Sequence, residues 1–203
     1  MKQVVTPSHL NKGISYAEYR ALTDELIEAG KTTGPNQSEA FIEYTRLNGK
    51  RMKRLDKLAV LSDRLKELIS EVKGPWYWLV LTEAWCGDAA QNLPLLGKME
   101  ALNPAITMRL LMREENPELM NEFLTNGGRS IPKLVCLNEN LEVLGTWGPR
   151  PAPAQQLLMS HKADPNKDNS EIGKALQQWY NQDKNQTLDQ EFQQLIMKWN
   201  SVD

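Results

Sequence analysis

Trp76-Tyr77-Trp78-Leu79-Val80-Leu81-Thr82-Glu83-Ala84-Trp85-Cys86-Gly87-Asp88-Ala89 is the stretch on which the fold turns. Its first seven residues are aromatic, aliphatic or β-branched with almost no polar interruption, the pattern of a strand covered on both faces. Cys86 then opens a helical run to Ala101, in which Pro94 predicts a bend. A cysteine at a strand-to-helix junction lies near the positive end of the helix dipole, beside N–H groups that lack a partner within the helix. A thiol so placed is favoured as thiolate, the form that attacks disulfides. Three residues on, where a dithiol site carries its second sulfur, stands Ala89. The site works with one sulfur.

Downstream, residues 106–112 read as a second buried strand. Asn116-Pro117-Glu118 opens a short helix with proline in its first turn, closed by Gly127-Gly128. Residues 131–137 and 141–147 are strands joined by Asn138-Glu139-Asn140, a hairpin connection. Upstream, residues 1–14 read as an extended lead-in and 15–29 as a helix closed by Gly30. Ser38 caps a further helix from Glu39, with a break or kink expected at Asn48-Gly49. One apolar stripe runs through 50–72, and its basic residues Lys50, Arg51, Lys53, Arg54 and Lys57 read as a solvated face, with anion binding as the alternative. After the break at Gly148-Pro149-Arg150-Pro151, helices are expected near 152–160, 170–182 and 187–199. Alternating strands and helices argue for parallel pairing with right-handed crossovers, and the hairpin adds an antiparallel edge.

This order resembles the thioredoxin superfamily. The resemblance is carried by Glu83-Ala84 at the strand end, Trp85-Cys86-Gly87 after it, and Ser130-Ile131-Pro132 before the hairpin. Thioredoxins have Trp-Cys-Gly-Pro-Cys at the first place and an Ile-Pro with a cis peptide bond at the second. The chain also looks like a bacterial subgroup with a helical N-terminal extension and a degenerate Trp-Cys-Gly-Asp-Ala site. The resemblance implies an α/β, thioredoxin-like mixed sheet of about four strands flanked by helices. Its expected parts are an N-terminal helical extension at 1–49, a thioredoxin-like core at 50–150, and C-terminal helices at 151–203 that pack on the core. Two departures stand out: Asp88 and Ala89 replace the family's proline and second cysteine, and Val80 stands where the family buries a carboxylate six residues before the first cysteine.

Cys86 is therefore the candidate catalytic residue, with Trp85, Gly87 and Asp88 tuning the site. A free cysteine with a pKa of about 8.5 is only about 3% thiolate at pH 7, and a shift to about 6.5 makes it about three quarters thiolate. That shift needs about 2.7 kcal/mol of differential stabilisation. Asp88 opposes it if its carboxylate lies near the sulfur, and is otherwise a helix-start residue; Lys133 offsets it if it points to the sulfur, and is otherwise a solvated lysine. From the resemblance, Ile131 and Pro132 are substrate-binding, offering a backbone edge beside the thiol. Trp85 forms a docking rim or is a packing aromatic. Cys136 lies four residues past Pro132, about 13 Å along a strand, whereas a disulfide needs Cα atoms within about 7 Å. It reads as a core residue.

Composition narrows the classes. The chain of 203 residues carries 24 Lys and Arg against 26 Asp and Glu, a formal charge of −2, which argues against nucleic acid as a partner. Two cysteines are too few for a disulfide-built secreted scaffold. The opening residues lack the apolar segment of a signal peptide, and no apolar run approaches the roughly 18 residues that cross a bilayer. A cytoplasmic protein with no membrane partner is expected. His9 and His161 sit on no metal or triad pattern, no glycine-rich phosphate loop is present, and no metal or other cofactor is expected.

Two functions follow. The first is a monothiol redox protein acting on protein or low-molecular-weight thiols and disulfides, through a mixed disulfide at Cys86 that an outside thiol resolves. The second is a redox-inactive binding module using the groove beside Pro132. The added helices offer a surface for a homodimer: Leu188, Phe192, Leu195, Ile196 and Trp199 line one side of the last one and must pack on something.

Overall fold

In the computed structural model, which describes residues 4–166, 168 and 171–201, four strands form one mixed sheet in the order β2-β1-β3-β4. β1 (Trp76–Thr82) lies at its centre, parallel to β2 (Ile106–Met112) and antiparallel to β3 (Lys133–Leu137). β3 pairs antiparallel with β4 (Val143–Trp147). Val80 faces Leu110 on one side and Leu134 on the other, and all three are buried, as a strand covered on both faces requires. In the hairpin the Asn138 side-chain oxygen accepts from the backbone N–H of Asn140 and of Glu142. This side-chain turn sets the bend.

The N-terminal residues do more than lead in. Thr6 and Pro7 start a helix, α1 (Pro7–Lys12), after which Ile14 exchanges both backbone hydrogen bonds with Leu110. That bridge covers the outer edge of β2. α2 (Tyr16–Glu28) is fixed by reciprocal bonds between Ser15 and Glu18.

α3 (Glu39–Leu58) continues through Asn48-Gly49, so the expected break is absent. The reason is tertiary. A Cβ at Gly49 would sit 2.5 Å from Ile27 Cδ1, so the glycine is where α2 crosses closely. Asn48 is buried and its side chain donates to the Ala84 carbonyl at 2.9 Å. The 50–72 stripe, in turn, is split. α3 ends at Leu58, and α4 (Asp63–Ser70) starts anew behind Ser62, whose hydroxyl accepts from Leu65 N–H.

α5 (Gly87–Glu100) is continuous through Pro94 and its inner residues are buried. Beyond β2 come a 3-10 turn (Arg113–Glu115) and α6 (Pro117–Glu122). α6 ends well before Gly127-Gly128, which instead belong to a turn bridged between Thr125 and Gly128. After β4 follow α7 (Ala152–Ala163), α8 (Ile172–Asp183) and α9 (Gln186–Asn200). Lys184 and Asn185, both at positive φ, reverse the chain between α8 and α9. The apolar side of α9 is covered by this chain itself. Phe192 meets Trp78, Trp147 and Trp199, and Trp199 meets Trp76. Asp189 ties α9 to the start of α4 through Ser62 N–H and hydroxyl.

Candidate functional site

β1 leads through the buried Glu83 and Ala84 to Trp85, which lines a cavity of about 900 Å³, and Cys86 takes the N-cap position of α5 at its floor. The thiol accepts from Ala89 N–H at 3.4 Å and donates to the Ile131 carbonyl at 3.3 Å. The Ile131-Pro132 peptide is cis. Trp85, Cys86, Gly87, Asp88 and Ile131 thus line one cavity, although 45 residues separate the two segments. Pro132 is buried behind this wall, its carbonyl against Gly148, where a Cβ would come within 2.2 Å of the oxygen. Gly148 also sits at φ +108, so both space and backbone demand glycine there.

The thiol is not poised as thiolate. Cys86 keeps 6% of its surface, and burial pushes its pKa up to about 12. The Asp88 carboxylate adds to the rise, while the N–H groups of Ala89 and Asp88 and the Arg150 cation pull the other way. The helix-terminus effect expected from the sequence is present, but desolvation outweighs it.

Asp88 is more than a helix-start residue. Its Oδ2 accepts from Arg150 Nε and Nη2 at 3.1 and 2.6 Å, and its Oδ1 from the Tyr180 hydroxyl at 2.7 Å. Asn92 donates to the same hydroxyl at 3.1 Å. The Arg150 and Asp88 side chains each keep 11% of their surface, so the ion pair is largely out of water. Burial opposes the Arg150 cation, yet the bonds to Asp88 hold its pKa above the ordinary value. Lys133 does not offset Asp88: its ammonium donates to Thr125 Oγ1 at 3.2 Å, and burial pushes its pKa down.

Trp85 is both rim and packing residue. Its ring lies 4.9 Å from Phe41 and carries the Arg113 guanidinium 5.0 Å above it. Arg113 also pairs with Glu114. A Cβ at Gly87 would lie 3.2 Å from Gln177 Nε2 and 3.8 Å from Arg51 Nη1, so α8 and α3 both close over the first turn of α5. Cys136, by contrast, is fully buried on β3 opposite Trp78, and both cysteines are free thiols.

Arg150, Tyr180 and Glu83 carry no site reading in the sequence, and Arg51 stands there only in a basic run with anion binding as the alternative to a solvated face. Nothing local marks Arg150 or Tyr180, which lie 62 and 92 residues from Asp88. Glu83 carried a signal: an acid between an apolar strand and the Trp-Cys pair. It is fully buried, and its Oε1 accepts from Glu114 N–H at 2.9 Å. Burial pushes its pKa up. The family's buried carboxylate is missing at Val80, yet a buried acid stands three residues closer to the sulfur. Among the described residues no helix is long and apolar enough to cross a membrane.

A family profile described as Thioredoxin matches residues 34–169, more than half of the chain. Among solved structures, the crystal structure of a protein of unknown function from Pseudomonas aeruginosa is similar with a TM-score of 0.63. That match covers 95% of this chain and 98% of that one at 16% identity. The crystal structure of an HIV epitope scaffold is similar with a TM-score of 0.60, covering 94% of this chain and 96% of that one at 18% identity. At such identities the likeness concerns the fold. Among curated proteins nothing matches the chain.

Proposed function

Because the chain belongs to the thioredoxin family, we propose that it performs single-cysteine thiol–disulfide exchange at Cys86, capturing a substrate sulfur as a mixed disulfide and holding it. The observation that carries this reading is the thiol at the cavity floor, hydrogen-bonded to the carbonyl of the cis Ile131-Pro132 peptide. Cys86 gives up its proton and bonds to one sulfur of a disulfide. The substrate's S–S bond breaks, and the departing sulfur takes the electron pair and a proton. An outside thiol later attacks the mixed disulfide and restores Cys86. Ala89 provides no second sulfur, and Cys136 is sealed in the sheet.

A thiol with its pKa pushed up to about 12 attacks slowly and, once bonded, is a poor leaving group. The first slows formation of the adduct, and the second favours its persistence over rapid turnover. The test is intact-mass detection of the adduct after exposure to a small disulfide. A single adduct is expected on the native chain and on Cys136→Ser, and none on Cys86→Ser. An adduct that persists in Cys86→Ser, or none in the native chain, refutes the reading.

The raised thiol pKa also favours a second reading, a binding module that uses the cavity without exchange. Ligand retained equally by the native chain and Cys86→Ser, under reducing conditions and with no adduct, would select it.

A further inference from the structure

The cavity over Cys86 is cationic in a chain of net charge −2. Five basic side chains line it, against the one carboxylate of Asp88. Two of the five are neutralised internally, Arg150 by Asp88 and Arg113 by Glu114. The other three, Arg51, Arg129 and Lys174, form no ion pair among the described residues. Arg51 has only a neutral partner, the Asn48 amide oxygen at 2.8 Å. It is half-buried, and its Nη1 lies over Gly87, beside the sulfur-bearing residue. Arg129 and Lys174 stand exposed on the rims formed by the loop before Ile131 and by α8.

Between these cations the wall is apolar. Phe41, Tyr44, Leu47 and Leu176 contribute to it, and Tyr44 keeps 52% of its surface exposed. A volume of about 900 Å³ falls within the range of small-molecule sites. The sulfur lies at the bottom, roofed by α3 on one side and α8 on the other, which suits a slender ligand better than the surface of a folded protein.

Building on Cys86 exchange, we propose that the cavity selects low-molecular-weight disulfides whose substituents carry carboxylate or phosphate groups. Arg51 meets the charge nearest the sulfur. Arg129 and Lys174 take the distal charge, and the apolar wall covers the carbon skeleton. The step is Cys86–SH plus R–S–S–R giving Cys86–S–S–R and R–SH. One substrate sulfur is reduced to thiol as Cys86 is oxidised to the mixed disulfide, and the proton passes to the departing sulfur.

The test compares rates of adduct formation on the full chain with four probes. Glutathione disulfide carries carboxylates, coenzyme A disulfide carries phosphates, bis(2-hydroxyethyl) disulfide is neutral and cystamine is cationic. Each rate is divided by that of a free thiol with the same probe, which removes the intrinsic chemistry. At least one anionic probe should exceed cystamine about tenfold or more, the low end of what a cleft of one charge sign does to association. Whichever is faster identifies carboxylate or phosphate as the recognised group. The ratio should fall toward one at high salt and in a chain carrying Arg51→Gln, Arg129→Gln and Lys174→Gln. Should that triple variant fail to fold, the exposed pair Arg129→Gln and Lys174→Gln must still lower it. Adducts with all four probes at equal normalised rates, or fastest with cystamine, overturn the selection and leave the exchange reading standing. If no probe forms an adduct, exchange fails. Binding of S-methylglutathione and of dephosphorylated and phosphorylated coenzyme A to Cys86→Ser then decides the anion site, and no binding overturns it.

Discussion

Titrating the reactivity of Cys86 puts a number on the balance between burial and helix terminus. With its pKa pushed up to about 12, the thiolate share at pH 7 is about one in 100,000, against about 3% for a free cysteine near 8.5. That is a deficit of about 3,000-fold. A more basic thiolate is intrinsically more nucleophilic, and a Brønsted slope of about 0.4–0.5 over about 3.5 pH units recovers roughly 40-fold. The net expectation is attack roughly 100-fold slower than free cysteine at pH 7, before any loss from restricted access. Access scales the whole profile, so the informative quantity is its shape. The rate of alkylation by iodoacetamide should climb tenfold per pH unit without levelling through pH 10. Thiolate ultraviolet absorbance, taken as the difference from Cys86→Ser, should show the same. The shift also acts on stability. A thiol whose folded pKa exceeds its unfolded value of about 8.5 keeps its proton when the unfolded chain has lost it, so stability falls as pH rises between the two. At pH 10 the native chain should have lost about 2 kcal/mol that Cys86→Ser retains. A rate profile that plateaus below pH 8 would show that the helix terminus and Arg150 prevail over burial, and the account of a slow, persistent capture would collapse.

Asp88→Asn removes the carboxylate that raises the thiol and leaves Arg150 unneutralised beside it. The thiol titration should move down, and breaking the largely buried pair should cost about 3 kcal/mol, read as a fall in Tm of about 6–12 °C for a domain of this size. Gly148→Ala forces a Cβ against the Pro132 carbonyl at a φ of +108 and should cost about 2 kcal/mol or more in denaturant unfolding. Phe192→Ala empties the space between three tryptophans and should cost about 3–5 kcal/mol. Glu83 is held above its ordinary value by burial, so the folded chain keeps that proton when the unfolded chain releases it near pH 4.3. The native chain should therefore lose stability relative to Glu83→Gln as pH rises from there, and parallel curves would show that Glu83 ionises freely.

The sheet was legible because its strands are short, dense and separated by glycine, proline and asparagine. β1, β2 and the hairpin fall where periodicity places them, and Cys86 caps α5 as its position before Gly87 suggested. Local reading failed where tertiary contacts decide. Gly49 looked like a helix break and is a crossing point for α2. The stripe through 50–72 hid a real stop, although Ser62-Asp63 is itself a helix-start signal. At the site, the sequence locates the sulfur and the family resemblance supplies the cis proline, but the thiol's ionisation is not legible, because burial depends on α3 and α8 arriving over it. Asp88 pairs with Arg150 rather than with Lys133, and charge pairing over 62 residues leaves no local trace.

The convergence of Arg150 and Tyr180 on one carboxylate has a kinetic corollary. The loop of 92 residues to Tyr180 must close before its bond exists, and long closures come late in assembly. A nascent or clipped chain that has built its sheet, but has not yet docked its last two helices, therefore lacks the α8 cover over the first turn of α5, and its Asp88 lacks the Tyr180 bond. In a refolding time course, protection of Cys86 from alkylation should trail the recovery of sheet structure, marking the moment the chain becomes whole.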